Sequence, residues 1–156
     1  RLIGKPMEGY KNAHMERGVG QEPLARMAYE SATGNLVEEV GFLKHPTLMA
    51  GCSPDGLVGE DGGAELKSVI PTVQLETVLS GGYPSEHKPQ VQGSLWLTGR
   101  KWWDFCSYSH DMPEHLKTYI FRVKPDAAYI LMLEAEVIVF LKDVDAMVER
   151  LLKRAA

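Results

Sequence analysis

The chain lacks the features that would commit it to a membrane, an oxidising compartment or a nucleoside triphosphate. Its apolar runs, such as Tyr129–Leu133 ahead of Glu134, fall far short of the roughly twenty residues needed to span a bilayer. No charged-then-apolar leader with a cleavage site opens the chain, so the expectation is a soluble, intracellular protein. The two cysteines, Cys52 and Cys106, have no spacing suited to a zinc site or a disulfide framework; both read as small buried residues in a reducing compartment. There is no glycine-rich loop followed by Lys-Ser or Lys-Thr, which argues against ATP hydrolysis. The five histidines show no metal-ligand spacing; His87 alone falls near the carboxylates discussed below, and none is assigned to catalysis. Basic excess is also missing. With 17 Lys and Arg against 21 Asp and Glu, the net charge is −4, which excludes a protein that coats nucleic acid by bulk charge. Any DNA binding must be local, in a basic groove or through cations that offset carboxylates.

What is present suits one domain. A length of 156 residues with 44% apolar content is enough for a single sizeable core, and the reading is one domain over residues 1–156. Because the chain opens on Arg1, an N-terminal segment upstream is allowed for. "QEPLARMAYESAT" (21–33) has a proline near a helix start, apolar residues at Leu24, Met27 and Ala28, and Gly34 as a stop. "NLVEEVGFL" and "TLMAGCS" read as short strands about the turn at His45-Pro46, and "GLV", "GEDGG" and "AELKSVI" as a hairpin. A short helix and a Gly-Gly-Tyr-Pro loop follow within 74–88. "PQVQGSLWLTG" is a helix ending at Gly99, and "KWWDFCSY" and "TYIFRV" are strands. From Asp126, apolar residues from Ile130 to Leu151 mark one long amphipathic helix. The expected class is α/β or α+β.

"GCSPDGLVGEDGGAELKSV" (51–69) carries the chemistry. Residues two apart on a strand share a face, so Glu65 and Lys67 project together while Leu66 and Ser68 point the other way. The hairpin brings Asp55 toward the same end. Two converging carboxylates repel, and a divalent cation relieves the repulsion; oxygen ligands with open water positions suit Mg²⁺ or Mn²⁺. A lysine beside that ion can position or deprotonate water and offset charge on a phosphoryl transition state. Alone, Asp plus Glu-x-Lys is a short pattern that recurs on ordinary solvated strands. Glu22 lies in the expected first helical turn, where the dipole favours any carboxylate. Gln90 and Ser94 lie on one helical face, read as polar and exposed.

In combination the motifs are more specific. "SPDGL", "ELK" ten residues after the aspartate, and "PQVQGSLWLTGRKWWDF" together resemble the lambda exonuclease and YqaJ-type viral recombinase family, within the PD-(D/E)XK nuclease superfamily. The resemblance runs from "GQEPLARMAYESATG" through "KWWDFCSY". It implies an α/β fold with a PD-(D/E)XK nuclease-like central mixed β-sheet flanked by helices. It implies metal ligation by Asp55, Glu65 and the carbonyl of Leu66, a Lys67 that positions the attacking water, a Glu22 that reaches a second metal or its waters, and a Gln90 that contacts the water or a phosphate. It further implies 5′-to-3′ digestion of linear double-stranded DNA to 3′ single strands for phage-type recombination, a homotrimer, a single-strand annealing partner, and the cytoplasm of a bacterial host carrying a phage or prophage. Arg26, Lys88, Arg100 and Lys101 are candidates for a DNA groove. Trp102 or Trp103 would stack on a frayed base, although a Trp pair at a strand start more often gives one ring to the core. Relatives hold the 5′ phosphate with basic residues in a front segment; Arg1, Lys5, Lys11 and Arg17 are the candidates here, without a secure alignment. The alternatives are a repair or restriction endonuclease of the same superfamily, an inactive DNA-binding module of the same fold, and a small-molecule hydrolase with a metal site.

Overall fold

The computed structural model of the protein describes residues 13–154, with side chains from residue 20 onward. Helix α1 (Ala13–Thr33) is followed by strands β1 (Leu43–Lys44), β2 (Gly51–Cys52), β3 (Gly56–Val58) and β4 (Gly62–Ser68), helices α2 (Pro71–Ser80) and α3 (Lys88–Thr98), strands β5 (Trp102–Tyr108) and β6 (Thr118–Val123), and helix α4 (Ala127–Leu152). The main sheet has the order β3-β4-β5-β6, with β4 and β5 parallel and the outer pairs antiparallel. Strands β1 and β2 make a separate two-stranded ladder.

Alternation on β4 and β5 sorts the core into two layers. Ala64, Leu66, Cys106 and Tyr108 face Ala25 and Tyr29 of α1. Trp103, Phe105 and Val123 face Val91 and Leu95 of α3. The parallel step explains two glycines. Gly62 and Gly63 lie opposite Trp102 and Trp103, and a Cβ on either would run into the facing indole. They therefore belong to β4, and the turn is shorter than "GEDGG", turning at Gly59 with φ +54°. Helix α2 is fixed to β5 by buried Gln74, whose Nε2 donates to the carbonyls of Leu116 (2.9 Å) and Ser107 (3.2 Å) and whose Oε1 accepts from Ser107 Oγ at 2.6 Å. Gly81 and Gly99 end α2 and α3 in the left-handed region. Asp126 caps α4, accepting from Tyr129 N at 3.1 Å.

Several expectations change. Helix α1 starts at Ala13 rather than at Gln21, and Pro23 lies inside it. The proline rule misplaces the start because tertiary packing of Ala25 and Tyr29 carries the helix through one missing N–H. Glu22 is consequently mid-helix and gains nothing from the terminal dipole. "NLVEEVGFL" forms no continuous strand: Glu38 makes a lone bridge to Leu57, with hydrogen bonds of 2.8 and 2.9 Å, before β1 begins at Leu43. Ser94, read as exposed beside Gln90, is buried, and Cys52 is half-buried while Cys106 is fully buried. Among the described residues no helix is long and apolar enough to cross a membrane.

Candidate active site

Strand β3 stops pairing at Gly56, opposite Ala64, which leaves β4 uncovered on that side from Glu65 onward. Asp55 fills the gap: its Oδ2 accepts from Leu66 N at 2.6 Å. In a strand the N–H and C=O of one residue point to the same side, so the Leu66 carbonyl also faces the Asp55 side. Glu65 projects toward the α3 layer and is fully buried. Its Oε1 is bonded by Lys67 Nζ, while its Oε2 has no hydrogen-bond partner among the described residues.

Burial, then the neighbouring Asp55 charge, pushes the Glu65 carboxyl up to about 7; Lys67 and the Gln90 amide oppose the rise without cancelling it. A buried carboxylate with an orphan oxygen and a second carboxylate beside it is an unfinished electrostatic arrangement. An oxygen-ligated cation completes it, so the residues fit the divalent metal that the sequence suggests. Asp55, Glu65, Leu66, Lys67 and Gln90 are thus brought together. Glu22 is not: it pairs with Arg26 at 3.5 Å, and Arg26 also pairs with Glu39. Among the described residues, no group of three or more His, Cys, Asp or Glu side chains could hold an ion.

The four candidate DNA-binding cations all have other partners. Lys88 binds Asp126 at 2.8 Å and lies 4.5 Å over the Tyr129 ring. Arg100 Nη1 donates to the carbonyls of Gly59 (2.6 Å) and Gly62 (2.7 Å), and Lys101 pairs with Asp61 at 2.9 Å, so both brace the β3–β4 turn. Arg26 is held by its two carboxylates. Trp103 is wholly in the core. Trp102 lies 3.7 Å from the Arg122 guanidinium, which grips buried Asp104 with two 2.8 Å bonds, while Tyr29 OH donates to the same carboxylate at 2.8 Å. Arg1, Lys5 and Lys11 lie outside the described residues, and of Arg17 only the backbone is described.

His87, the histidine that falls nearest the carboxylates in the sequence and is given no catalytic role there, lies against the site's α3 layer. Its ring stacks on Phe105, centroids 5.2 Å apart, and Phe105 is the register partner of Glu65 on β5. Burial first, then the Lys67 charge, lowers the imidazole pKa.

Comparison with known proteins gives the context. Residues 2–101 match the family described as the YqaJ-like viral recombinase domain. Among solved structures, an alkaline exonuclease from Laribacter hongkongensis superposes with a TM-score of 0.91 at 39% identity, over 99% of this chain and 78% of that one; a second structure of that exonuclease, in complex with dAMP, matches equally. A phage-related exonuclease from Haemophilus somnus shares the fold at a TM-score of 0.69 and 12% identity, over 96% of this chain and 78% of that one. No curated protein matches. With a central mixed sheet between helices, a family match over most of its length and a near-complete superposition at 39% identity, the chain belongs to the YqaJ-like viral recombinase domain family.

Proposed function

We propose that the protein is a metal-dependent nuclease that digests linear double-stranded DNA from the 5′ end, leaving 3′ single strands for recombination. The observation that carries this reading is Glu65: fully buried, one oxygen bonded to Lys67, the other unpartnered, and Asp55 at its side. Family membership and the 39%-identical alkaline exonuclease, also crystallised with dAMP, support a nuclease in general terms. Asp55, Glu65 and the Leu66 carbonyl would hold Mg²⁺, or Mn²⁺ in its place. When bound, the ion supplies Lewis-acid polarisation of the scissile phosphate and stabilises the leaving oxygen.

The remaining work falls to the chain. Lys67, tethered by Glu65, orients the attacking water and offsets phosphate charge. Gln90, exposed at the start of α3, contacts the water or a phosphate oxygen. Glu22 stays outside the Asp55–Glu65 pair and enters through water. A homotrimer, a single-strand annealing partner and a phage or prophage origin in the bacterial cytoplasm complete the proposal.

The test uses one plasmid, supplied as closed circle and as 5′-phosphorylated linear duplex, with Mg²⁺ or chelator, treated with wild type and Lys67→Ala. Only the linear form should disappear, only with Mg²⁺, and only with wild type. Cutting of the closed circle would replace the exonuclease reading with an endonuclease. Full activity of Lys67→Ala would remove the role given to that lysine.

A further inference from the structure

The β1–β2 ladder and its connection enclose a cleft of about 280 Å³ lined by Phe42, Lys44, His45, Leu48 and Met49, none of which the nuclease mechanism uses. Its contents are unusual for a surface loop. Phe42 is 61% exposed, although its ring covers Gly51 and leaves no room there for a Cβ. Lys44 is exposed and, among the described residues, has no carboxylate partner, unlike the four cations tied up elsewhere. His45 is rigidly placed: its Nδ1 accepts from Leu48 N at 3.0 Å and Thr47 N at 3.3 Å, and its ring leans on Trp96 with centroids 5.3 Å apart. With Nδ1 an acceptor, the ring proton sits on Nε2.

The cleft shares one lining residue with a groove beside the site. Gly51 also lines a second groove, about 250 Å³, formed with Ser53, Pro89, Gln90 and Ser94. The neighbouring groove holds Gln90, to which a phosphate contact is assigned above, and the cleft holds an exposed aromatic ring and a cation with no carboxylate partner among the described residues. That pairing of ring and cation is how proteins hold single-stranded nucleic acid, the ring taking a base and the cation the backbone. The volume, just below the roughly 300–1,000 Å³ of pockets for drug-sized ligands, suits one ring system.

We infer that this cleft is a nucleobase subsite: it takes one unpaired base of the strand whose phosphate lies at Gln90, stacked on Phe42 with Lys44 on the adjoining phosphate. The inference rests on the nuclease reading, and the test separates the two. Steady-state digestion is followed on 5′-phosphorylated linear duplexes carrying a single abasic residue at each of the first several positions of the digested strand, with wild type, Phe42→Ala and Phe42→Trp. One abasic position should raise the wild-type KM about tenfold, the scale of losing one stacked base. Phe42→Ala should show that increase on intact DNA and no further increase at that position, and Phe42→Trp should restore the wild-type pattern.

If wild type digests DNA but the abasic profile is flat, or Phe42→Ala matches wild type, the subsite is wrong and the nuclease reading stands. If wild type neither binds nor digests any duplex, the nuclease reading fails first. A Phe42→Ala variant that changes sedimentation while keeping the wild-type abasic profile would assign the cleft to a second copy of the chain and overturn the nucleobase.

Discussion

Glu65 has the local environment of a carboxyl that prefers its proton, yet the proposed chemistry needs it ionised. Its ordinary value of 4.5 is raised to about 7, by burial first and by Asp55 second. Because the folded-state pKa lies above the free value, the bound proton stabilises the fold. That contribution is fully present below about pH 4.5 and is lost as pH rises through about 7. The proposed divalent cation would bind the ionised form and reverse the loss. In chelator, the wild-type melting temperature should therefore fall between pH 5 and 8 more steeply than that of Glu65→Gln, whose amide does not titrate. Mg²⁺ should restore wild type at pH 8 and leave the variant unmoved. Parallel melting curves for the two proteins would show that Glu65 is not the group that couples the proton to the metal. At this scale the sequence disclosed the shared face of Glu65 and Lys67, because strand alternation is local. It brought His87 near the carboxylates in sequence but could not show the ring stack on Phe105, a residue that arrives with β5.

Elements were legible where their signals were self-contained. The β3–β4 hairpin, α3 with Gly99, β5, β6 and the Asp126-capped α4 all stand close to where pattern and caps place them. Those that failed depend on distant partners: α1 runs through Pro23 because its apolar face is packed on β4, and Glu38 reaches β3 by a single bridge. The "GG" of the hairpin reads in the sequence as part of the "GEDGG" turn, but both glycines lie in β4. Its glycines are required by indoles that arrive with β5 more than thirty residues later. Gly63→Ala should therefore destabilise the fold by about 1–3 kcal/mol, the cost of an overpacked core, with a perturbed Trp103 environment in the denaturation curve and tryptophan emission. Gly59→Ala, at φ +54° with nothing near its Cβ, is strained by backbone conformation alone. Unchanged unfolding of Gly63→Ala would mean that β4 and β5 do not meet in this register.

The whole molecule is acidic, at −4, and its structure uses much of its positive charge internally. Arg26, Lys88, Arg100, Lys101 and Arg122 are bound to carboxylates or carbonyls. Among the described residues, Lys67 is the cation bonded to Glu65 and Lys44 has no carboxylate partner. On the proposed metal-dependent reading, attraction of a polyanion should depend on divalent ions at the carboxylates more than on released counterions. The Lys67→Ala variant, expected to be cleavage-deficient, leaves the proposed ligands Asp55, Glu65 and Leu66 in place, so it allows binding to be measured without digestion. Its affinity for a 5′-phosphorylated duplex, read by fluorescence anisotropy, should be present in Mg²⁺ and lost in chelator. At fixed Mg²⁺, the logarithm of affinity against that of monovalent salt should be shallow, with a slope no steeper than about −4, because each neutralised phosphate contributes roughly −0.9. A steep slope, or binding indifferent to chelator, would locate the attraction in a basic surface distinct from the Asp55–Glu65 site. The role of the carboxylates would then be confined to the chemical step.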